Sequence, residues 1–529
     1  MRRLAVPVAL TAVVGVVALT GLPAATAAGG SVAFRRTVLQ DQKQYGEPSL
    51  AISKDGKHIV VCVPGGVGTT SDWYSSDDGH TFGKSHTNSD NGGGDCELDF
   101  LPNGTLLNAD LEVTDSAIRY SKDFGKTWQG GQTAGLEQDR QWFAHTKDGS
   151  KVFLVYHDFA AEAEFYAESD DGGMTWPTSL AAQPVTSIDQ AALPGLGAGH
   201  AGDPASLIDQ GGNTFSGPML ISPDGRETYV LYSISDAKSN VTDGIPPYGP
   251  TRGVVVAHRG SEDTLFTNKY AIASDGTTTT GAIFPWGSID KAGNVYVFFN
   301  SDKGSAGHFH MFYVVSTTKG KTWSLPVKID DTPLTKGAQI YATGMAGSAG
   351  VIDVAWYGSD TASSPADNRA EWNIHFAQVR NATSLTPSIT RAMVAPGDPM
   401  HKGNICLNGL LCIAGGDRSL ADFIELAIGP DGMAQIAYAD NEGTFTGTKG
   451  RVVWAKQVTG QSAYVHTPLL PPVVVPVTGS GQHSGSGSAS GAGGLAATGL
   501  GWVLPGGALL LLVGATMLRR RRAGTAKTG

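Results

Sequence analysis

The chain has 529 residues, of which 71 are Gly and only 16% are charged. All 48 acidic residues fall between positions 29 and 499, while two basic residues precede that stretch and five follow it. The segment between therefore carries 31 basic against 48 acidic residues, a net −17, which excludes a nucleic-acid-binding surface or one drawn to anionic membranes.

Arg2-Arg3 precede an apolar stretch from Leu4 to Leu22, and Ala25-Thr26-Ala27 offers a small-residue cleavage site. Residues 1–28 read as a secretory signal peptide. From there to about residue 466 no long stretch carries helical periodicity, and the pattern is one of short apolar runs behind turns. Seven times a turn ending in Gly leads into such a run: Gly56, Gly104, Gly149, Gly225, Gly293, Gly350 and Gly432. Asp-Gly or Asn-Gly between apolar runs is a strong hairpin signal, because both central residues can adopt positive φ. The Ala349-Gly350 unit is the least convincing of the seven.

A second phrase, S-x-D-x-G-x-T-aromatic, runs from Ser75 to Phe82, Ser121 to Trp128 and Ser169 to Trp176. A decayed copy spans Ser316 to Trp323, with Thr318 in place of the Asp. The first three stand 46 and 48 residues apart and begin 17 to 20 residues after the turn glycine. A period near 50 marks units that stack to bury their faces. Ser and Asp can bond nearby N–H groups, Gly turns the chain, and the aromatic plugs the space between sheets. Hairpin, outer strand and plug make one four-stranded blade. The fold predicted over 29–466 is an all-β propeller, with seven blades preferred and six the alternative. Later units are spaced more widely, so the segments around 187–213, 235–250, 359–369 and 400–417 read as enlarged loops, which in propellers gather on one face and often build the binding site.

The four cysteines, all in the exported part, allow three pairings, of which Cys62–Cys96 with Cys406–Cys412 is favoured. The first would join blades 1 and 2 and the second would clasp a loop; the spacings match no zinc pattern. Residues 467–494 form a Pro-containing, then Gly/Ser-rich spacer. Residues 495–529 hold Leu495-Ala496-Ala497-Thr498-Gly499, an apolar span at 500–518 and four arginines. Such a span can just cross a bilayer, with its basic end on the cytoplasmic side.

Chemistry is expected at the channel mouth, where innermost strands start. Glu47, Asp95, Asp139 and Asp422 lie nine or ten residues before turn glycines, near Glu97, Asp99, Arg140, Arg418, His200 and Asp203. This acidic collar suits a cation such as Ca²⁺ or sugar hydroxyls. The same side chains equally serve to satisfy backbone groups at blade starts. Trp142 and Trp286, at the beginnings of innermost strands, are candidates for stacking on a sugar. His308 and His310 fall on one side of a strand, a two-ligand pattern without a third.

With its S-x-D-x-G-x-T-aromatic phrases the chain resembles the sialidase-like Asp-box (BNR repeat) propellers, and the C-terminal segment resembles an actinobacterial L-A-x-T-G sortase signal. The second resemblance implies cleavage between Thr498 and Gly499 and joining to peptidoglycan on the outside of a Gram-positive cell; an uncleaved membrane anchor is the alternative. The first implies a glycan or glycoprotein partner and no required cofactor. It does not extend to the catalytic residues. Sialidases clamp the substrate carboxylate with three arginines, the first in an F/Y-R-I-P phrase, whereas here Phe34-Arg35-Arg36-Thr37 lacks the Ile and Pro. The weak candidates are Arg35, Arg252, Arg418, Tyr357 and Glu425. The expectation is thus a wall-anchored glycan-recognising propeller, with an exo-acting glycoside hydrolase and a protein-binding scaffold as alternatives.

Overall fold

The computed structural model describes residues 31–39, 46–64, 70–86, 94–112, 115–134, 138–158, 163–176, 183–184, 214–235, 251–274, 279–281, 284–305, 307–384, 386–407, 417, 419–441 and 450–465. They form seven antiparallel sheets in a closed ring, each built on four strands; these are successive in the chain in all but the last blade, and blade 6 adds a short fifth strand, His401–Lys402. The innermost strands are Ser49–Ile52, Cys96–Phe100, Gln138–His145, Thr214–Ile221, Trp286–Ile289, Ala338–Ala346 and Glu425–Ile428, for blades 1 to 7. The ring closes through the N-terminus: Phe34–Leu39 pairs with Arg451–Gln457 and supplies the outermost strand of blade 7. Each blade thereby hides its faces against two neighbours, and the ring leaves no long open edge. Among the described residues no helix is long and apolar enough to cross a membrane, and the segments expected as signal peptide, spacer and sorting signal lie outside them.

All seven turn glycines join a first strand to a second, with φ between 70° and 88°. Ala349-Gly350 opens a full blade, built on the paired strands Ala338–Ala346 and Val351–Ser359. One detail differs from expectation. Only the glycine takes positive φ in these turns; Asp55 and its counterparts do not. The Asp side chain instead folds back on its own turn, as where Asp55 Oδ1 accepts from Lys57 N at 3.0 Å and from Ser53 Oγ at 2.6 Å. This is an Asx-type closure that needs one left-handed residue, not two.

The octapeptide phrase forms the turn between third and fourth strands. Gly79 N donates to Ser75 Oγ at 2.9 Å, while Thr81 N and Thr81 Oγ1 both donate to the Asp77 carboxylate, at 2.9 and 2.7 Å. The copies at Ser121 and Ser169 repeat these bonds within about 0.1 Å. In the decayed copy Thr318 Oγ1 takes over from the carboxylate and accepts from Thr322 N at 2.9 Å. The aromatics seat against the preceding blade: Phe82 packs 5.8 Å from Trp454 of blade 7, and Trp176 packs on the cluster that holds Leu101, Leu107 and Ile118 of blade 2.

Strand alternation places both kinds of turn on one face of the ring, called here the turn face. The connections from second to third strands, and from fourth strands to the next blade, all join strand ends at the opposite face, the mouth. Each of the long connections expected from the sequence is of one of these two kinds.

Cys62 and Cys96 are bonded across the junction of blades 1 and 2, as favoured from the sequence. Cys406 is also disulfide-bonded; Cys412 lies outside the described residues.

Candidate functional site

Nine residues before the turn glycine, every blade contributes one residue to a tier near the mouth: Glu47, Asp95, Arg140, Ser216, Phe284, Tyr341 and Phe423. Contacts link the tier across the ring. Ser216 Oγ donates to Arg140 O at 2.7 Å, and Gln141 Nε2 donates to Asp95 O at 2.7 Å. Tyr341 OH donates to Asp422 Oδ1 at 3.2 Å, and Asp422 N donates to Glu47 Oε1 at 3.1 Å. The Arg140 guanidinium lies 3.4 Å from the centre of the Trp142 ring and 4.1 Å from that of Phe423. Phe423 in turn meets Phe284 edge-on at 5.9 Å, and Phe284 meets Phe215 at 6.3 Å. One arc of the tier is charged, in blades 1 to 3, and the other is aromatic, in blades 5 to 7.

The backbone is bent to achieve this. Glu47, Arg140, Tyr341 and Ala421 all have positive φ, between 42° and 55°. The first-to-second strand register slips at Asp139/Gln141, Ser216/Met219 and Ile340/Thr343. Such bulges re-aim side chains, and strained residues of this kind concentrate where a site is being shaped.

One step further in, the unpaired N–H groups of inner strands are capped by the preceding blade. Ser49 Oγ accepts from Leu98 N at 3.0 Å, and Thr343 Oγ1 accepts from Leu426 N at 3.1 Å. At the equivalent place in blade 7 a carboxylate replaces the hydroxyl, and Glu425 Oε2 accepts from Leu50 N at 2.8 Å. Glu97 lies close by and is bonded to Arg140 NH2 at 2.9 Å; Arg140 is 0% exposed and Glu97 6%. Glu97 is thus paired with a buried guanidinium whose charge also reaches Glu425. Burial is the main cause that raises both carboxyls above the usual range, with Glu97 and Glu425 repelling each other and Arg140 pulling the other way. Deeper still, Asp99 faces His145 at 3.7 Å, and burial raises its carboxyl as well.

The sequence candidates therefore separate. Glu47, Asp95, Glu97, Arg140, Asp422 and Glu425 converge on the mouth and the channel, with Asp99 deeper along it. Trp142 and Trp286 pack edge-on at 4.8 Å and are buried, at 1% and 6% exposure. Tyr357 is buried in the second strand of blade 6, where its OH donates to Leu420 O at 3.4 Å. Arg35 sits on the outer strand of blade 7 at the turn face, paired with Asp78 at 3.5 Å, far from Glu425 in the fold. His310 Nδ1 is 3.1 Å from Asp330 Oδ1. The side chains of Asp139 and Arg252 lie outside the described residues, as do Arg418, His200, Asp203, Thr498 and Gly499. Among the described residues no three His, Cys, Asp or Glu side chains group as a metal site requires. Phe284, Phe423, Ser216 and Ser49 were not anticipated; the nine-residue offset from the turn glycine was the available signal.

No family model matches the chain, and no curated protein matches it. Solved structures similar to it include a protein of unknown function from Dyadobacter fermentans, 12% identical over 80% of this chain and 99% of that one, with a TM-score of 0.41. An ulvan lyase of polysaccharide lyase family PL25 is 12% identical over 81% and 96%, with a TM-score of 0.44. The α-L-arabinanase of Penicillium chrysogenum is 14% identical over 70% and 92%, with a TM-score of 0.39.

Proposed function

We propose that the chain is a glycan-recognising propeller held at the outside of a Gram-positive cell, binding sugars at its mouth. The observation that carries this reading is the divided tier at the face of the ring where the longest connections join their strands. The part-exposed carboxylates of Glu47 and Asp95 can accept hydrogen bonds from hydroxyls, part-exposed Phe284, backed by buried Phe423, offers an apolar face, and a sugar presents both kinds of surface. The attachment rests on the sequence of the ends. Residues 1–28 are removed on export, and a sortase joins Thr498 to peptidoglycan.

Binding of the full chain, purified in mild detergent, to an array of neutral and acidic glycans tests the recognition. Asp95→Ala is expected to weaken binding to every glycan bound by the parent; an array on which the parent binds nothing would refute the reading. Peptide mapping of wall digests tests the attachment, which requires a fragment ending at Thr498.

A second reading, a glycoside hydrolase, is favoured by one feature: Glu97 and Glu425 are buried carboxyls with raised pKa around one guanidinium, and a general acid must hold its proton at neutral pH. Release of methylumbelliferone from a glycoside panel that starts with the sialoside, lost in Glu97→Gln while array binding persists, would select this reading over pure recognition.

A further inference from the structure

The junction of blades 1 and 2 is apolar toward the turn face and polar toward the mouth. Strand alternation turns Thr70, Asp72 and Tyr74, on the third strand of blade 1, toward blade 2. It likewise turns Leu106, Asn108 and Asp110, on the second strand of blade 2, toward blade 1. Three contacts fix this facing. Cys62 and Cys96, the register partners of Asp72 and Asp110, are bonded across the junction. Thr70 Oγ1 donates to Asp110 Oδ1 near the mouth, and Tyr74 packs on the cluster that holds Leu98 and Leu106. Asp72 and Asn108 therefore lie at one level, a step below Thr70 and Asp110, with the disulfide on the side of the channel. On the outer side Ser85, another register partner of Asp72, turns its hydroxyl away, donating to Gly125 O at 2.5 Å and accepting from Trp128 Nε1 at 3.4 Å.

The groups of this layer do not satisfy one another. Asp72, Asn108 and Asp110 are all 0% exposed, yet neither carboxylate oxygen of Asp72 and neither terminal atom of Asn108 has a hydrogen-bond partner among the described residues. Arg119, the register partner of Asn108, brings a cation, and its NH1 is bonded to Asp110 Oδ2 at 3.3 Å. Two carboxyls thus stand against one guanidinium. Burial is the main cause that lifts the Asp72 carboxyl well above the usual range; Asp110 repels it further, and Arg119 opposes both. Buried polar groups left without partners are costly, and a buried charge more so. The layer calls for a partner of oxygens, since Asp72 offers two acceptors and Asn108 a third. Water bonds such acceptors but brings no charge to offset the second carboxylate, whereas a cation does both.

We propose that Asp72, Asn108, Asp110 and Thr70 hold a Ca²⁺ ion between blades 1 and 2. Ca²⁺ takes about six to eight oxygens in adaptable geometry, so two carboxylates suffice where an amide, a hydroxyl and water complete the set. Glu112 and Asp115, part-exposed on the turn that joins the second and third strands of blade 2, place further carboxylates at the mouth end of the junction, where an ion enters. Once bound, the ion pins the two blades in the half of their junction that lacks apolar packing. The site is separate from Glu47, Asp95 and Asp422 and rests on no reading of the mouth.

The test is Ca²⁺ titration of the full chain, stripped with EDTA and kept in mild detergent, read by calorimetry and by thermal unfolding. Wild type is expected to bind Ca²⁺ and to unfold at a higher temperature with it than in EDTA. Asp72→Asn keeps the shape of the side chain and removes its charge; affinity should fall about tenfold or more, and the Ca²⁺-dependent shift in unfolding should shrink with it. Asn108→Asp adds a third carboxylate to the layer. It should bind Ca²⁺ about tenfold tighter than wild type while being less stable than wild type in EDTA, a gain that decides the matter even if Asp72→Asn does not fold. No binding by wild type, equal affinity in wild type and Asp72→Asn, or no gain of affinity in Asn108→Asp overturns the inference. So does an Asp72→Asn protein more stable than wild type in saturating Ca²⁺, which would mean that Asp72 is buried with a proton and not with an ion.

Discussion

Replacing Arg140 by Met tests whether the charged tier is an electrostatic unit. The guanidinium is fully buried, bonded to Glu97 at 2.9 Å and stacked between Trp142 and Phe423. Methionine keeps much of the packing and removes the charge, leaving Glu97 and Glu425 facing each other with no cation. Breaking a buried pair from one side costs about 3–5 kcal/mol, against a total stability of about 5–15 kcal/mol for a domain. That cost is expected at pH 8 and must shrink in acid. Both carboxyls have folded pKa values above their unfolded ones, and more so without Arg140. Their contribution to stability is therefore fully present below the unfolded pKa near 4.3 and is lost as pH rises through the raised folded values. Urea unfolding of Arg140→Met between pH 5 and pH 8 should show a deficit relative to wild type that grows with pH. Adding Glu97→Gln should recover about 2 kcal/mol at pH 8, since one buried charge is gone. A deficit equal at both pH values and unchanged by Glu97→Gln would mean that Arg140 acts through its stacking alone, and the electrostatic account would be wrong.

Cys62→Ser/Cys96→Ser should lower stability by about 4 kcal/mol, from the loop entropy of a 34-residue separation, read as a fall in the urea midpoint with a steeper slope as the unlinked unfolded chain exposes more surface. Asp77→Ala removes the acceptor for Thr81 N and Thr81 Oγ1 and should cost about 1–2 kcal/mol. Because the turn holds the Asp77 carboxyl down at about 2, its contribution is present above the usual Asp value and disappears as pH falls through about 2, so wild type and Asp77→Ala should converge in acid melts. Asp353 is the opposite case. Burial pushes its carboxyl up to about 7, so its burial destabilises progressively as pH rises from about 4 to 7. Asp353→Asn can still accept from Gln378 Nε2 and should gain about 2–4 kcal/mol at pH 8, with little change at pH 4.

The blade count was legible because each hairpin needs a left-handed residue at one fixed place, and only Gly supplies it without steric cost. The same regularity located Glu47 and Asp95, while the pairing of Cys62 with Cys96 was favoured as the complement of a local Cys406–Cys412 clasp. The regularity failed by one residue at two positions. A bulge at Asp139/Gln141 re-aims the strand, so that Arg140 rather than Asp139 enters the tier. In blade 7 the left-handed Ala421 precedes Asp422, and Phe423 rather than Asp422 stands nine residues before Gly432. A search for polar residues alone also passed over Phe284 and Phe423, which close the aromatic arc. Glu425 was a weak candidate in one constellation with Arg35, Arg252, Arg418 and Tyr357; the fold instead brings it within electrostatic reach of Glu97, because inner strands converge on the channel while Arg35 lies on an outermost strand.

Both faces carry left-handed residues with side chains. In the turns these are Asp78, Phe124, Lys319 and Asn381, among many glycines, and side-chain and backbone hydrogen bonds together close the repeated turns. At the mouth four residues with side chains occupy left-handed backbone, at a cost of about 1–2 kcal/mol each. If that strain is maintained to aim the tier, relieving it should raise stability while disturbing recognition. Ala421→Gly is the cleanest relief, since it removes only a methyl at φ 54°, next to Asp422 and two residues before Phe423. It should add about 1 kcal/mol in urea unfolding and weaken glycan binding at the mouth by loosening the Glu47–Asp422–Tyr341 chain. A variant that is less stable than wild type would show that the methyl packs against Gly46 with more energy than the strain costs. A variant that is more stable yet binds glycans as well as wild type would show that the left-handed turn at Ala421 is only a consequence of closing the ring.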